Sequence, residues 1–312
     1  MKKYFLILLL LSAPNVFGQA CCTAGTPLLS SLETSGTPFQ SLQFGLSYRY
    51  NSIASIFIND SQLDDDSRER ISKSLILQVD YGIWRDVSIT ALFSYILQER
   101  IILSPLGTEN LLDTKGIGDA LLLMKYNIIP LTILDEMEFS VGGGIKIPFG
   151  ESQLISNGIL IPADMQSGSG SWDYLGWFYF SKGRLFELPL SFVTNLSYRI
   201  NGTNNRFDVE GFDYKFGNEG IAQLGLAYRT DFISDYSLFI RYRNAQSDIS
   251  RGFQIPNTGG HWVYLVPGIN FKLDNSKTIR LSGEIPLYIK VNGTQLTTTF
   301  TTTLAFYYSI NL

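Results

Sequence analysis

The chain has 312 residues, of which 17% are charged, against about 25% in a typical soluble domain. Its 45% hydrophobic content excludes a disordered chain, and a net charge of −4 without any Lys/Arg-rich block gives no basis for a nucleic-acid partner. A mean hydropathy of +0.09 is too low for a bundle of membrane helices.

The N-terminus has the pattern of a secretory signal peptide. Lys2 and Lys3 precede an apolar run over residues 4–11, which is too short to span a bilayer. Gly18-Gln19-Ala20 is a cleavage site that would leave Cys21 at the mature N-terminus, and acylation of Cys21 is an open alternative. The sequence therefore predicts a signal peptide over residues 1–20 and a periplasmic N-terminal segment over residues 21–40.

Residues 41–312 resolve into segments of roughly ten residues that alternate apolar and polar side chains, the pattern of strands whose two faces meet different solvents. In the last segment, Phe300, Leu304 and Phe306 fall on one face, while Thr301 and Thr303 fall on the other. About twelve such segments begin near residues 41, 72, 86, 116, 136, 171, 187, 215, 235, 260, 278 and 295.

The connections between these segments alternate in length. Short connections such as 82–86 and 274–277 follow every second segment, and long polar ones such as 51–71 and 99–115 follow the others. Bacterial outer-membrane barrels have an even number of strands, short periplasmic turns and long extracellular loops. The predicted fold is therefore all-β, a transmembrane antiparallel barrel of about twelve strands over residues 41–312 in the bacterial outer membrane.

If the apolar face of each strand meets lipid, charged residues at alternate positions point into the lumen. This set consists of Arg49, Asp80, Asp119, Lys125, Glu138, Lys146, Arg199, Arg229, Arg241, Arg243, Lys272, Arg280, Glu284 and Lys290. Either these charges pair across a filled interior, or they form a constriction that favours anionic or hydrogen-bonding solutes. A register shift of one residue would reverse any single assignment.

Aromatic residues crowd the segment that begins near residue 171. Trp172, Tyr174 and Trp177 are candidate contacts for an aromatic solute, although most Trp and Tyr residues of such barrels form interfacial girdles. The loop over Pro148 to Gly170 contains an apolar run, Gly158 to Pro162, that is unusual for a solvated loop. We expect this loop to fold into the mouth of the barrel.

The sequence gives no indication of an enzyme. The single histidine, His261, is followed two residues later by Val263, where outer-membrane phospholipases have a serine. Gly142-Gly143-Gly144 lacks the lysine and the helix of a phosphate-binding loop, and more plausibly relieves crowding or allows a kink in a strand. We therefore expect no catalytic residue, no cofactor and no metal site.

Three short motifs carry a family resemblance. Gly116-Ile117-Gly118-Asp119, Lys146-Ile147-Pro148-Phe149-Gly150 and Gly168-Ser169-Gly170-Ser171-Trp172-Asp173, in that order and spacing, resemble the exported barrel family labelled "meta-pathway of phenol degradation". The segment Ser282 to Tyr288 is similar to the penultimate strand of that family. The resemblance covers roughly residues 40 to 312 and implies uptake of small hydrophobic or aromatic compounds, but it transfers no binding residues.

Two functions follow as hypotheses. The first is a passive channel for small solutes, and the second is a non-transporting barrel with a structural or surface-binding role. In both cases the expected partners are outer-membrane lipid and the barrel-assembly machinery, because Phe306, Tyr308 and Ile310 near the C-terminus resemble an insertion signal. The channel additionally requires a small-molecule solute.

Overall fold

The structure is a computed structural model that describes residues 19–20, 36–104, 108–131, 136–207, 211–230 and 233–312. Residues 1–18 of the predicted signal peptide, Cys21 and most of the predicted periplasmic segment lie outside these residues. Within the described part of the chain, no helix has the length and apolar character needed to cross a membrane.

Twelve antiparallel strands form one closed barrel, as predicted. Closure is made by the last strand, which pairs with the first from Ser41 opposite Asn311 to Ile58 opposite Thr294. Each strand begins within four residues of its predicted start. The strands are β1 (Ser41–Ile58), β2 (Arg68–Trp84), β3 (Val87–Leu103), β4 (Ala120–Ile129), β5 (Met137–Ile147), β6 (Asp173–Lys182), β7 (Leu190–Ile200), β8 (Glu219–Tyr228), β9 (Ser234–Ala245), β10 (Gly260–Lys272), β11 (Lys277–Val291) and β12 (Thr294–Asn311).

Shorter elements lie at the barrel ends and in the loops. Glu109–Ile117 precedes β4 and pairs with the C-terminal part of β3. Gln19–Ala20 runs parallel to β12. Two 3-10 turns cover Ala163–Met165 and Leu185–Glu187. The remaining short strands are Ser61–Leu63, Ile155–Ser156, Ile159–Leu160, Tyr214–Lys215, Ile249–Ser250 and Phe253–Gln254.

Alternation of side chains sets the two faces of the barrel. On β12 the apolar residues Leu304 and Phe306 are exposed on the outside, while Thr301 and Ala305 are buried inside. The outer face carries further exposed Leu, Phe and Tyr side chains around the whole barrel, among them Leu46, Leu77, Phe93, Leu224 and Leu238. This continuous apolar belt is the surface that a bilayer covers in a transmembrane barrel.

The strands nearest the N-terminus are longer than the alternation predicts. Much of the predicted loops 51–71 and 99–115 belongs to β1, β2, β3 and the extension Glu109–Ile117. A tilted strand crosses a membrane in about 9–11 residues, whereas β1 has 18. The apolar alternation of these strands ends at the edge of the bilayer, whereas their backbone hydrogen bonding continues beyond it. The strands therefore project from the membrane on the side of the long loops.

Turn lengths distinguish the two ends. Residues 85–86 and 273–276 connect strands at one end, while residues 148–172, 201–218 and 246–259 lie at the other. By the rule for outer-membrane barrels, the first end is periplasmic and the second extracellular. Asn292-Gly293 connects β11 to β12 on the extracellular side, and Gly293 has φ of 70°, a conformation that glycine adopts without steric cost.

Candidate functional site: the barrel lumen

The loop over residues 148–172 folds into the extracellular mouth of the lumen, as expected from its apolar run. Ala163, Met165 and Gln166 are buried. The Asp164 carboxylate forms ion pairs with two lumen-facing guanidiniums, Arg70 at 2.9 Å and Arg100. The Thr114 hydroxyl also donates to the Met165 carbonyl oxygen at 2.8 Å. The loop therefore fills the mouth and is held there by charge pairs.

A second set of contacts ties the same loop to the barrel wall, and we call it the loop anchor: Asp119, Lys146, Ser169 and Asp173. The Lys146 ammonium lies 3.0 Å from Asp119 Oδ2 and 2.7 Å from Asp173 Oδ2, and it also contacts the Ser169 hydroxyl. Asp119 accepts hydrogen bonds from the backbone N–H groups of Gly150 at 3.1 Å and Ser169 at 3.0 Å. Every residue of the loop anchor is almost fully buried.

The loop anchor explains the three sequence motifs. Asp119 ends the first motif, Lys146 begins the second, and Asp173 ends the third. A Cβ on Gly150 would lie 2.6 Å from Gly168 Cα, so the two glycines let the beginning and the end of the loop pass each other in direct contact. The motifs thus encode the attachment of one inward-folded loop.

Below the loop anchor, the lumen is lined by apolar side chains. Two buried clusters face inward, one on β2, β3, β4, β6 and β8 and one on β9, β10 and β11. Val193 packs against both clusters and joins them. We call this joined set the apolar layer, and it consists of Ile76, Leu92, Leu121, Leu123, Leu175, Trp177, Tyr179, Val193, Ile221, Phe239, Trp262, Tyr264, Val266, Ile289 and Val291.

Glycines on β5 make room for the apolar layer. A Cβ on Gly142 would lie 3.1 Å from the Trp177 ring, and one on Gly144 would lie 3.2 Å from a Leu123 methyl group. Gly142 and Gly144 alternate with outward-facing residues, so both sit on the inner face. The two glycines therefore relieve crowding on the inner face of the barrel, as predicted. Because they have no side chains, large residues from β4 and β6 can extend into the lumen beside them.

Polar and charged residues return on the periplasmic side of the apolar layer. Lys125 is almost fully buried, lies 5.0 Å from the Trp177 ring centroid, and is within electrostatic range of Asp80 and Glu138. Asp80 accepts a hydrogen bond from the Gln78 amide at 2.7 Å. Along β4 the inner face therefore runs from Asp119 through Leu121 and Leu123 to Lys125, from charged to apolar to charged.

On the opposite wall, two carboxylates each bind two arginines. Glu219 pairs with Arg199 at 2.7 Å and with Arg243 at 2.5 Å, and the Arg243 guanidinium lies 4.7 Å from the Trp262 ring centroid. Glu284 pairs with Arg49 at 3.0 Å and with Arg241 at 2.5 Å. A cavity of about 40 Å³ lies beside Glu284.

Most of the predicted lumen residues point inward. Arg280 lines the cavity, while Arg229 is exposed just after the end of β8 and Lys272 is exposed at the periplasmic end of β10. The inner-face residues of the predicted set are Arg49, Asp80, Asp119, Lys125, Glu138, Lys146, Arg199, Arg241, Arg243, Arg280 and Glu284.

Three predicted residues lie on the outer face instead. In the pairing of β10 with β11, Val263 faces Tyr288 and Tyr264 faces Pro286, so Leu287 forms a bulge. The extra residue reverses the alternation beyond it and turns Lys290 outward. Trp172 and Tyr174 are more than half exposed outside, and of the three candidate aromatic contacts the structure places Trp177 in the lumen.

Sequence reasoning missed several lumen charges. Arg70 and Arg100 fell inside predicted loops, Asp164 lay in the loop itself, and Glu219 was assigned no face. Asp173 stood in a recognised motif without a role. His261, at the start of β10 as predicted, lies on the outer face, where its Nδ1 is 2.7 Å from the Tyr242 hydroxyl.

No protein-family model matches the chain, and no curated protein matches it in sequence. Among solved structures, the COG4313 outer membrane channel from Pseudomonas putida F1 matches with a TM-score of 0.70 and 14% identity over 88% of this chain and 97% of that one. Lower TM-scores of 0.44 are found for the P. putida toluene transporter TodX, at 10% identity over 93% of both chains, and for the β domain of the Bordetella autotransporter BrkA, at 11% identity over 87% and 100%. The first likeness shows that the fold is that of an outer-membrane barrel.

Proposed function

We propose that the protein is a bacterial outer-membrane channel through which small hydrophobic or aromatic solutes diffuse passively. The apolar layer is the observation that carries this proposal. General porins have a polar, water-filled interior, whereas here inward-facing Leu, Val, Trp and Phe side chains from both walls join through Val193. Apolar constrictions of this kind exclude water and ions but leave a favourable surface for an apolar solute.

Two other observations support the proposal. The motifs that form the loop anchor resemble the phenol meta-pathway barrel family, and the solved barrel with the same fold is described as a channel. The apolar belt requires outer-membrane lipid as a partner. The barrel-assembly machinery is a second proposed partner, and it would recognise the alternating residues of β12.

Passage of a ring requires side chains to move. An engineered apolar cavity that binds benzene has a volume of about 150 Å³, whereas the cavity beside Glu284 has about 40 Å³. We therefore assign the structure to a closed state, in which the side chains of the apolar layer separate transiently as a solute passes.

Uptake into proteoliposomes tests the channel. We expect benzamide to enter faster than arabinose, a polar solute of similar size, because only benzamide gains from contact with apolar walls. Leu123→Asn places a polar group in the apolar layer and should lower that preference while raising ion conductance. Leu123→Met keeps the volume and the apolar character and should leave both unchanged.

A non-transporting barrel is the second candidate, and the filled mouth favours it. The loop anchor and the Asp164 ion pairs close the extracellular end with buried, oppositely charged groups. Under this reading, neither benzamide nor arabinose enters proteoliposomes that contain folded protein, and planar bilayers show no conductance. That result would rule out the channel.

A further inference from the structure

The cavity beside Glu284 borders the apolar layer and has two kinds of wall. One wall carries the guanidiniums of Arg49, Arg241 and Arg280 together with the Glu284 carboxylate. The other includes Ile76 and Val266, one from each cluster of the apolar layer. We call this site the arginine cavity. A solute that reaches this cavity along the apolar layer meets charged donors and apolar surface at the same time.

Glu284 shows how the arginine cavity holds a carboxylate. Its Oε1 atom accepts from Arg49 Nη2 at 3.0 Å and from Arg241 Nη1 at 2.5 Å. Arg241 is oriented by a second hydrogen bond, from its Nε to the Gln223 amide oxygen at 2.7 Å. Two guanidiniums from different strands therefore converge on one carboxylate oxygen at the cavity wall.

The charges that line the cavity are unequal. Its lining supplies three guanidiniums and one carboxylate, and guanidiniums stay protonated at any physiological pH. Arg49 and Arg241 are more than nine-tenths buried, where the attraction of an added anion is stronger than in water. Hydrogen bonds from arginine to a carboxylate are also among the strongest that a protein makes.

We propose that the arginine cavity binds the carboxylate group of small apolar acids, so that aromatic and short aliphatic carboxylates are the preferred solutes of this channel. The solute carboxylate shares the guanidiniums with Glu284, and its apolar part lies against Ile76 and Val266. The inference rests on the proposed channel function, because a solute must enter the lumen to reach the cavity.

Benzoate and benzamide provide the test, since they share a ring and differ in the charge of the head group. We expect benzoate to enter proteoliposomes several-fold faster than benzamide at neutral pH. Arg280→Gln removes one guanidinium and should lower this ratio by about threefold or more. Glu284→Gln removes the internal competitor and should raise it. Arg184→Gln, at an exposed arginine outside the barrel wall, removes the same charge and should leave the ratio unchanged.

The folded state of each variant is checked by its heat-dependent shift in gel mobility. If Glu284→Gln does not fold, the ratio of benzoate entry to benzamide entry in Arg280→Gln is sufficient to test the proposal. Equal entry of benzoate and benzamide into wild-type proteoliposomes would overturn the carboxylate site and leave the channel intact. A ratio that Arg280→Gln does not change would overturn it as well. If neither probe enters, the channel itself fails, so the two failures are distinguishable.

Discussion

The loop anchor and the arginine cavity are both built from buried ion pairs, yet their carboxylates are held in opposite ways. In the loop anchor, two carboxylates share one lysine, and Asp119 also accepts from backbone N–H groups of the loop. In the arginine cavity, one carboxylate is shared by two arginines at the wall of a cavity. The loop anchor thus has more acid than base, and the arginine cavity has more base than acid.

This difference separates attachment from binding. Asp119 is occupied by groups of the same chain that must stay in place for the loop to remain folded inward. Glu284 occupies part of a larger cationic wall, and the adjoining volume leaves space for a second anion. Two clusters of ion pairs therefore need not have the same role, and the number of cations per carboxylate distinguishes the two sites.

The largest expected effect comes from the loop anchor. Lys146→Met leaves Asp119 and Asp173 buried without their shared cation, and removal of one partner from a buried ion pair costs about 3–5 kcal/mol. We expect a large decrease in the thermal midpoint of unfolding in detergent, together with rapid proteolysis within residues 151–169. Lys277→Met, in an ion pair with Asp274 that is nearly half exposed, should change neither.

The double variant Lys146→Met/Asp119→Asn tests whether the uncompensated carboxylates cause the loss of stability. It removes one of the two uncompensated carboxylates, and it should recover part of the stability lost in the single variant. If Lys146→Met were as stable and as protease-resistant as Lys277→Met, the loop anchor would not hold the loop.

A third carboxylate, which is half-buried, extends the comparison. Asp248 lies in the extracellular loop over residues 246–259, where it accepts from the Tyr214 hydroxyl at 2.6 Å and from the Gly217 N–H at 2.8 Å. Burial raises the pKa of Asp248 to about 6, and it also raises the pKa of Tyr214. These hydrogen-bond donors are neutral, in contrast to the lysine and the arginines of the other two sites.

The sign of the pH dependence follows from that shift. The folded loop keeps a proton on Asp248 at a pH where the unfolded chain, with an ordinary pKa of 3.8, has lost it. Its contribution to stability is therefore full at about pH 3 and is lost as the pH rises through about 6, a loss of about 3 kcal/mol. Asp248→Asn cannot titrate and should flatten the change in unfolding midpoint between about pH 4 and about pH 7. An unaltered slope in this variant would assign the pH dependence to other groups.

The barrel could be predicted from the sequence because lipid and lumen impose different chemistry on alternate residues of each strand. The two faces of β12 can be assigned from its own sequence, without knowledge of the neighbouring strands, because Leu304 and Phe306 alternate with Thr301 and Thr303. The inward fold of the 148–172 loop was also predictable, because Ile161 and Met165 are too apolar for a solvated position.

The remaining features depend on contacts distant in sequence. Arg70 and Arg100 lie where the strands extend beyond the lipid, so the apolar alternation that marks a strand is missing there. Lys290 was placed on the wrong face because a bulge at Leu287 leaves no trace when both Leu287 and Tyr288 are large and apolar. Local pattern therefore predicts strands, whereas which charges meet across the lumen depends on the register of the closed barrel.

The smallest expected effect isolates the backbone part of the loop anchor from its charges. A Cβ on Gly168 would overlap the Gly150 backbone, so Gly168→Ala should cost about 1–3 kcal/mol through overpacking while every ion pair remains available. Gly176→Ala is the matched control, because a Cβ there meets nothing within 4 Å. We expect faster proteolysis of the 151–169 loop in Gly168→Ala than in Gly176→Ala, and a smaller change than in Lys146→Met. Equal protease resistance of the two glycine variants would show that charge alone, without the close crossing at Gly150, attaches the loop.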